Sequence, residues 1–135
     1  MTIASVAEMV AVAKAEITVL SMEEVLRATV EDRALLVDLR EAEELIQAGR
    51  IPGAIHVPRG MLEFRADPAS PWHDPRLATD RTLILFCAAA WRSALAVKTL
   101  RDMGIDDVAE MAGGFQTWAA AGYPVEKETD PQPSR

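Results

Sequence analysis

The chain contains one thiol, Cys87, and the residues around it are of the kinds that make a thiol reactive. It follows the apolar run Thr82-Leu83-Ile84-Leu85-Phe86 and opens the segment Cys87-Ala88-Ala89-Ala90-Trp91-Arg92-Ser93, after which helical spacing begins. A loop between a buried strand and a helix can curl so that its amide N–H groups point at the sulfur, beside the positive end of the helix. Both features favour a thiolate or another anion. Three alanines keep side chains out of such a cradle, and Arg92 closes it with a charge that no cellular pH removes. A cysteine after an apolar strand is by itself more often a small buried hydrophobe than a nucleophile. The guanidinium at the far end of the loop separates this one, because it has no obvious packing purpose there.

Other reactive side chains are scattered. Asp38 and Arg40 stand at the end of a second apolar run and can pair, bracing the cysteine loop from below or simply holding the fold together. Arg59 and Arg65 follow a third strand and could add positive field for an anionic ligand, although exposed arginines are common on acidic proteins. Trp91 either walls the mouth of the loop or packs on a neighbouring segment. His56 reads as a hydrogen-bonded structural histidine and His73, between Pro71 and Pro75, as an exposed loop residue. One Cys and two distant His do not have the spacing of a metal site, and no metal is expected.

The elements that must position Cys87 alternate between helix and strand. Residues 5–16 read as a helix with Val6, Met9, Val10 and Ala13 on one face. Ile17–Leu20 reads as a strand, and Ser21-Met22-Glu23-Glu24 is a capping box opening the next helix. Ala34–Leu39 is apolar throughout, as suits a strand buried on both faces. A helix over 41–48 follows, closed by Gly49 in a left-handed conformation, and Ala54–Val57 is a short strand. Pro68, Pro71 and Pro75 keep 59–80 irregular, with Met61, Leu62 and Phe64 as an apolar cluster that forms either a lid or a plug. Thr82–Phe86 is the clearest strand. A helix over 92–103, a strand over 108–111 and a helix over 115–121 complete the series. The tail from Glu126 reads as frayed. Alternation with uniformly apolar strands argues for an α/β fold, a parallel sheet with helices on both faces. In such sheets the functional crevice lies beyond the carboxyl ends of the strands, where Cys87 falls.

Composition narrows the function classes. At 135 residues the chain fits one domain, and its 50% hydrophobic content argues against disorder. A net charge of −7 makes general nucleic-acid binding a poor expectation. A single cysteine excludes an internal disulfide. The apolar stretch near Ile3–Val12 is interrupted by charge and too short to span a bilayer, so a soluble, cytoplasmic protein without membrane contact is expected.

Four landmarks appear in the order of the rhodanese-like family of sulfurtransferases. They are Val37-Asp38-Leu39-Arg40-Glu41; Gly49-Arg50-Ile51-Pro52-Gly53-Ala54-Ile55-His56-Val57-Pro58; the loop Cys87–Ser93; and Ala112-Gly113-Gly114-Phe115 with Trp118 and Ala121-Gly122-Tyr123-Pro124-Val125. The chain resembles that family over about 17–125, leaving 1–16 as an accessory helix and 126–135 as a tail. The resemblance implies a central parallel sheet of about five strands. It also implies that Cys87 accepts sulfane sulfur from a small anionic donor such as thiosulfate, becomes a persulfide, and passes the sulfur to a thiol or cyanide acceptor or to a protein partner. Amides of Ala88 through Arg92, adjoining Ser93, would hold the persulfide, Arg92 the donor's anionic group, with Asp38, Arg40 and Arg59 in support and no cofactor. Four residues separate Cys87 from Arg92, shorter than the five-residue loop that the resemblance associates with related phosphatases and arsenate reductases. Ala90 stands where the family commonly has Gly; if that position needs a positive φ, Ala costs about 1 kcal/mol or somewhat more. Arg50, where the family often has His, reads as a surface change. The competing readings are a catalytically silent rhodanese-like module that binds a partner protein, and a redox-sensing thiol protein.

Overall fold

A computed structural model of the chain describes residues 2–127. Five strands, β1 (Val19–Leu20), β2 (Ala34–Asp38), β3 (Ile55–His56), β4 (Thr82–Phe86) and β5 (Val108–Met111), form one sheet in the order β1-β5-β4-β2-β3. Each neighbouring pair is parallel. The two central strands, β4 and β2, are apolar apart from Thr82 and Asp38 at their ends, because side chains on both their faces are covered. Leu35, Val37, Leu83 and Leu85 pack on one face with Leu62, Ala96, Val97 and Leu100. Leu36, Ile84 and Phe86 pack on the other with Val25, Phe115 and Trp118.

The helices on the first face are α4 (Leu62–Ala66) and α5 (Arg92–Asp102); on the second lie α2 (Met22–Val30) and α6 (Gly114–Ala120). The capping box that opens α2 is formed, with the Glu24 amide donating to Ser21 Oγ at 3.1 Å and the Ser21 amide to Glu24 Oε1 at 2.9 Å. Helix α3 (Ala42–Ala48) ends at Gly49, whose φ of 88° is positive as expected but whose ψ of −176° is extended rather than left-handed. The reason is a close approach: a Cβ there would stand 2.8 Å from the carbonyl oxygen of Glu126. That strand-like contact is an antiparallel bridge between Arg50 and Glu126. Arg50 is consequently no surface change; its side chain is only 13% exposed and donates to the Ala54 carbonyl at 2.6 Å.

Helix α1 (Val6–Glu16) is capped by Ser5, which accepts from the Glu8 amide. Its packed side differs from the expected one. Val10 and Ala13 are buried against Ala94 of α5, whereas Val6 and Met9 are exposed. The small side chains of Ala13 and Ala94 let the two helices approach, and that contact chooses the face. Between β3 and β4 the chain makes only single turns, at Arg59–Met61 and Pro75–Leu77, beside the short α4, as its prolines require. Within it Phe64 and Trp72 meet edge to face at 5.9 Å while both stay largely exposed. Of the tail expected to fray from Glu126, Glu126 itself is held in the bridge to Arg50, and the residues from 128 on lie outside the described residues.

Candidate active site

Strand β4 ends at Phe86, and Cys87 follows at the carboxyl edge of the sheet, 1% exposed. The loop from Cys87 turns back through Ala90, whose φ is 66°. A positive φ is therefore required there, and Ala adopts it. The loop's outer carbonyls are tied to α6: the Phe115 amide donates to the Cys87 carbonyl at 2.8 Å and the Gln116 amide to that of Ala88 at 3.1 Å. Gly114 makes this approach possible, since a Cβ on it would stand 2.6 Å from the Cys87 carbonyl oxygen and 2.8 Å from that of Ala88.

On the inner side, the Cys87 thiol donates to Ser93 Oγ at 3.5 Å. Burial pushes the thiol up, but the Ser93 hydroxyl, the amides of Ser93 and Ala89 and the Arg92 charge outweigh it and hold Cys87 below the usual thiol range. Arg92 stands at the first position of α5 and turns its guanidinium onto Glu44 of α3, Nη1 to Oε1 at 2.7 Å and Nη2 to Oε2 at 3.0 Å. This bidentate pair raises the Arg92 pKa further and, with Arg92 as the leading cause, lowers that of Glu44. Glu44 also accepts from the Glu41 amide at 2.9 Å and so helps cap its own helix.

Ser93 is fully buried and donates to Glu110 Oε2 at 2.6 Å. Glu110 lies on β5, on the same face as Val108, and is 0% exposed; its other oxygen is 3.6 Å from Lys14 Nζ of α1. Burial raises the Glu110 pKa, against the lowering influence of Ser93 and Lys14. Neither Glu44 nor Glu110 is visible from the sequence as a partner of the loop. The one available signal is a carboxylate on a short strand at a position whose face should be apolar.

Asp38 and Arg40 form the expected pair, both about 1% exposed, with Arg40 Nη2 2.8 Å from Asp38 Oδ2 and 2.9 Å from the Gly49 carbonyl. The Arg40 guanidinium lies 3.9 Å over the Phe115 ring, and Phe115 in turn holds the Cys87 carbonyl. The pair reaches the loop through that aromatic ring. The contacts of Arg59 run elsewhere, to Glu63 at 2.8 Å and to Thr99 at 3.5 Å, two turns along α5 from Arg92. Arg65, expected to add positive field near the crevice, is buried, and its carbonyl receives the Asp74 amide and contacts His73 Nδ1. His73 is consequently half-buried rather than exposed. His56 Nε2 meets the Arg40 carbonyl at 2.6 Å, a structural role. Trp91 is 49% exposed at the N-cap of α5.

A parallel sheet carrying a buried thiol in a cradle of amides, closed by a salt-bridged arginine, defines a class of protein built around an anion-stabilising cysteine loop. Residues 21–121 match the model of the rhodanese-like domain. The chain belongs to the rhodanese-like family. It is 32% identical over 91 residues to a sulfurtransferase of Allochromatium vinosum, covering 67% of this chain and 77% of that one. It is 33% identical over 93 residues to the human thiosulfate:glutathione sulfurtransferase, covering 64% and 79%. Across four of the matching curated relatives the match spans from 42% to 77% of their length. Among solved structures, a Rhodopseudomonas palustris protein of unknown function, described as a possible tyrosine phosphatase, superimposes with a TM-score of 0.88 at 37% identity, covering 93% of this chain and 98% of that one. The polysulfide-sulfur transferase homodimer of Wolinella succinogenes does so with a TM-score of 0.68 at 29% identity, covering 90% and 87%. These relatives support a sulfur-transfer role. Among the described residues, no helix is long and apolar enough to cross a membrane.

Proposed function

We propose that the protein is a sulfurtransferase that carries sulfane sulfur on Cys87, from a small anionic donor such as thiosulfate to a thiol acceptor. What supports this reading best is the Cys87 loop, where the buried sulfur meets Ser93 Oγ at 3.5 Å beside Arg92 and the groups around it hold the thiol below its usual range. The Cys87 thiolate attacks the sulfane sulfur of the donor, a new S–S bond forms, and the electrons of the donor's own S–S bond leave with sulfite. An acceptor thiolate or cyanide then attacks the outer sulfur of the persulfide, and the electrons of that bond return to Cys87. Covalent storage splits one transfer into two displacements. The loop amides stabilise the negative persulfide as they do the thiolate, and Arg92 supplies positive charge for the incoming anion.

Two relatives fit this chemistry, one described as acting on thiosulfate and glutathione and one on polysulfide. A protein persulfide could serve as donor at the same loop. The catalytic unit spans 17–125, with α1 as an accessory helix. A lone reactive thiol suits the reducing cytoplasm.

The test is the intact mass of reduced protein after incubation with thiosulfate, polysulfide or glutathione persulfide, beside Cys87→Ser. The expected result is a gain of one sulfur atom that depends on Cys87 and is released by cyanide. A folded protein loaded by none of the three would overturn the reading in favour of a silent binding module. Turnover of p-nitrophenyl phosphate would favour the phosphatase description of the Rhodopseudomonas relative, against which the four-residue spacing of Cys87 and Arg92 argues.

A further inference from the structure

Glu110 poses a problem that sulfur transfer alone does not explain. A carboxyl group with 0% exposure on β5 takes a position whose neighbour on the same face, Val108, belongs to the apolar core. Burying such a group is unfavourable unless it is paired and hydrogen-bonded. What it meets is a continuous chain: the Cys87 thiol donates to Ser93 Oγ at 3.5 Å and the Ser93 hydroxyl to Glu110 Oε2 at 2.6 Å. The far oxygen lies 3.6 Å from Lys14 Nζ, without a hydrogen bond of its own. Lys14 reaches it from α1, the helix packed on α5.

We propose that Glu110 holds the proton that Cys87 gives up, passed through the Ser93 hydroxyl, and that Lys14 of the N-terminal helix sets how readily Glu110 takes it. The inference rests on Cys87 being the reacting thiol. When Cys87 ionises, its proton moves to Ser93 Oγ while the Ser93 proton moves to Glu110 Oε2. The result is a thiolate that accepts from Ser93 and a carboxylic acid that donates to Ser93. No charge is created or lost, and no water need enter. When an acceptor removes the outer sulfur, the same shift runs backwards and returns a proton to Cys87. The buried carboxyl is thus a local proton store, and Glu110 and Ser93 are positioning residues acting through the thiol.

Few other charged groups face this chain. From α5, Arg92 acts on Cys87 and is itself paired with Glu44 of α3. From β1, the residue opposite Glu110 is Val19, and from β4 it is Leu85. From α1, the charge is Lys14. Burial raises the carboxyl's proton affinity while the loop lowers the thiol's, and so the two approach each other. Two groups coupled through one shared hydroxyl titrate as a pair.

That coupling has a signature no merely structural glutamate would give. The rate of Cys87 alkylation by iodoacetamide, followed from about pH 5 to pH 10, should rise in two steps. The first comes when the pair loses one proton and shares the other, the second when it loses both. Glu110→Gln keeps the shape and an acceptor for Ser93 but cannot store the proton, and its profile should collapse to a single step. Ser93→Ala should likewise lose the first step. Lys14→Met gives the sharpest sign. Loss of a nearby cation acting directly on the thiol would slow alkylation, whereas here it moves the shared proton toward Glu110 and should speed alkylation near neutral pH by about threefold to tenfold. A slower Lys14→Met protein, or a Glu110→Gln profile with the wild-type shape, would overturn the relay. Should Glu110→Gln fail to fold by circular dichroism, Lys14→Met decides alone, since its side chain is 38% exposed. Failure of sulfur loading with the two-step profile intact would strike the sulfur-transfer reading and leave the relay supported.

Discussion

Ala90 shows how two small energies decide the fate of a single methyl group. Its φ of 66° costs an alanine about 1–2 kcal/mol relative to glycine, yet the methyl is 2% exposed and its burial returns about 0.8 kcal/mol. Ala90→Gly is therefore expected to change stability by less than about 1 kcal/mol and, because the turn is already made, to leave the rate of sulfur loading nearly unchanged. Chemical denaturation and a stopped-flow loading assay check both; a large acceleration would mean that the methyl distorts the amide cradle. Glu44 makes the opposite point, that a strong contact can restrain function. Its two oxygens occupy both terminal nitrogens of Arg92, so part of the charge available to an anionic donor is already answered. Glu44→Gln keeps an acceptor for the Glu41 amide and should lower the KM for thiosulfate by about threefold, with kcat little changed. A raised KM would show that Glu44 serves Arg92 as a rigid mount instead.

Among the elements, α6 is the one on which the cysteine loop hangs. Gly114, at φ +69°, lies against the carbonyls of Cys87 and Ala88, so Gly114→Ala meets both backbone strain and a collision with atoms that cannot step aside. A loss of at least about 2 kcal/mol is expected, together with loss of sulfur loading. Gly53, at φ +83° with open space around it, provides the comparison: Gly53→Ala should cost about 1 kcal/mol and leave loading intact. Thermal melts of the pair test this, and equal losses would refute the close approach at Gly114. Much at this scale was legible in the sequence. The apolar runs of β2 and β4, the capping box of α2 and the helix after Cys87 fall where periodicity and end signals put them, because those signals act over a few residues. The face of α1 was not legible. Val6, Met9, Val10 and Ala13 are equally plausible on helical spacing, and only the meeting with Ala94 selects Val10 and Ala13.

For the whole molecule, the buried carboxyl sets a pH dependence whose sign is fixed by the direction of its shift. Glu110 binds its proton more tightly folded than unfolded. Between those two values the native state therefore holds more protons, and stability falls as pH rises above the ordinary carboxylate range. Glu44 and Asp74, held below that range by Arg92 and Arg76, contribute in the other direction: their stabilisation is present above the ordinary range and is lost as pH falls through their lowered values. Glu110→Gln should thus gain stability relative to the wild type as pH is raised from about 4.5 toward neutrality. Urea denaturation of the two proteins across that interval measures the difference, and a constant gap would show that Glu110 is ionised throughout.

By itself the sequence determined the alternation of buried strands with helices and the place of Cys87 at the carboxyl end of a central strand. Both follow from burial and chain direction over short stretches. Which distant side chains meet there was decided only by the tertiary structure. Parallel strands joined through helices bring together residues far apart in the chain, such as Glu44 with Arg92 and Lys14 with Glu110. No local pattern of hydrophobicity or charge records such a meeting, because a carboxylate reads alike in sequence whether it will face water or a buried hydroxyl beside a thiol.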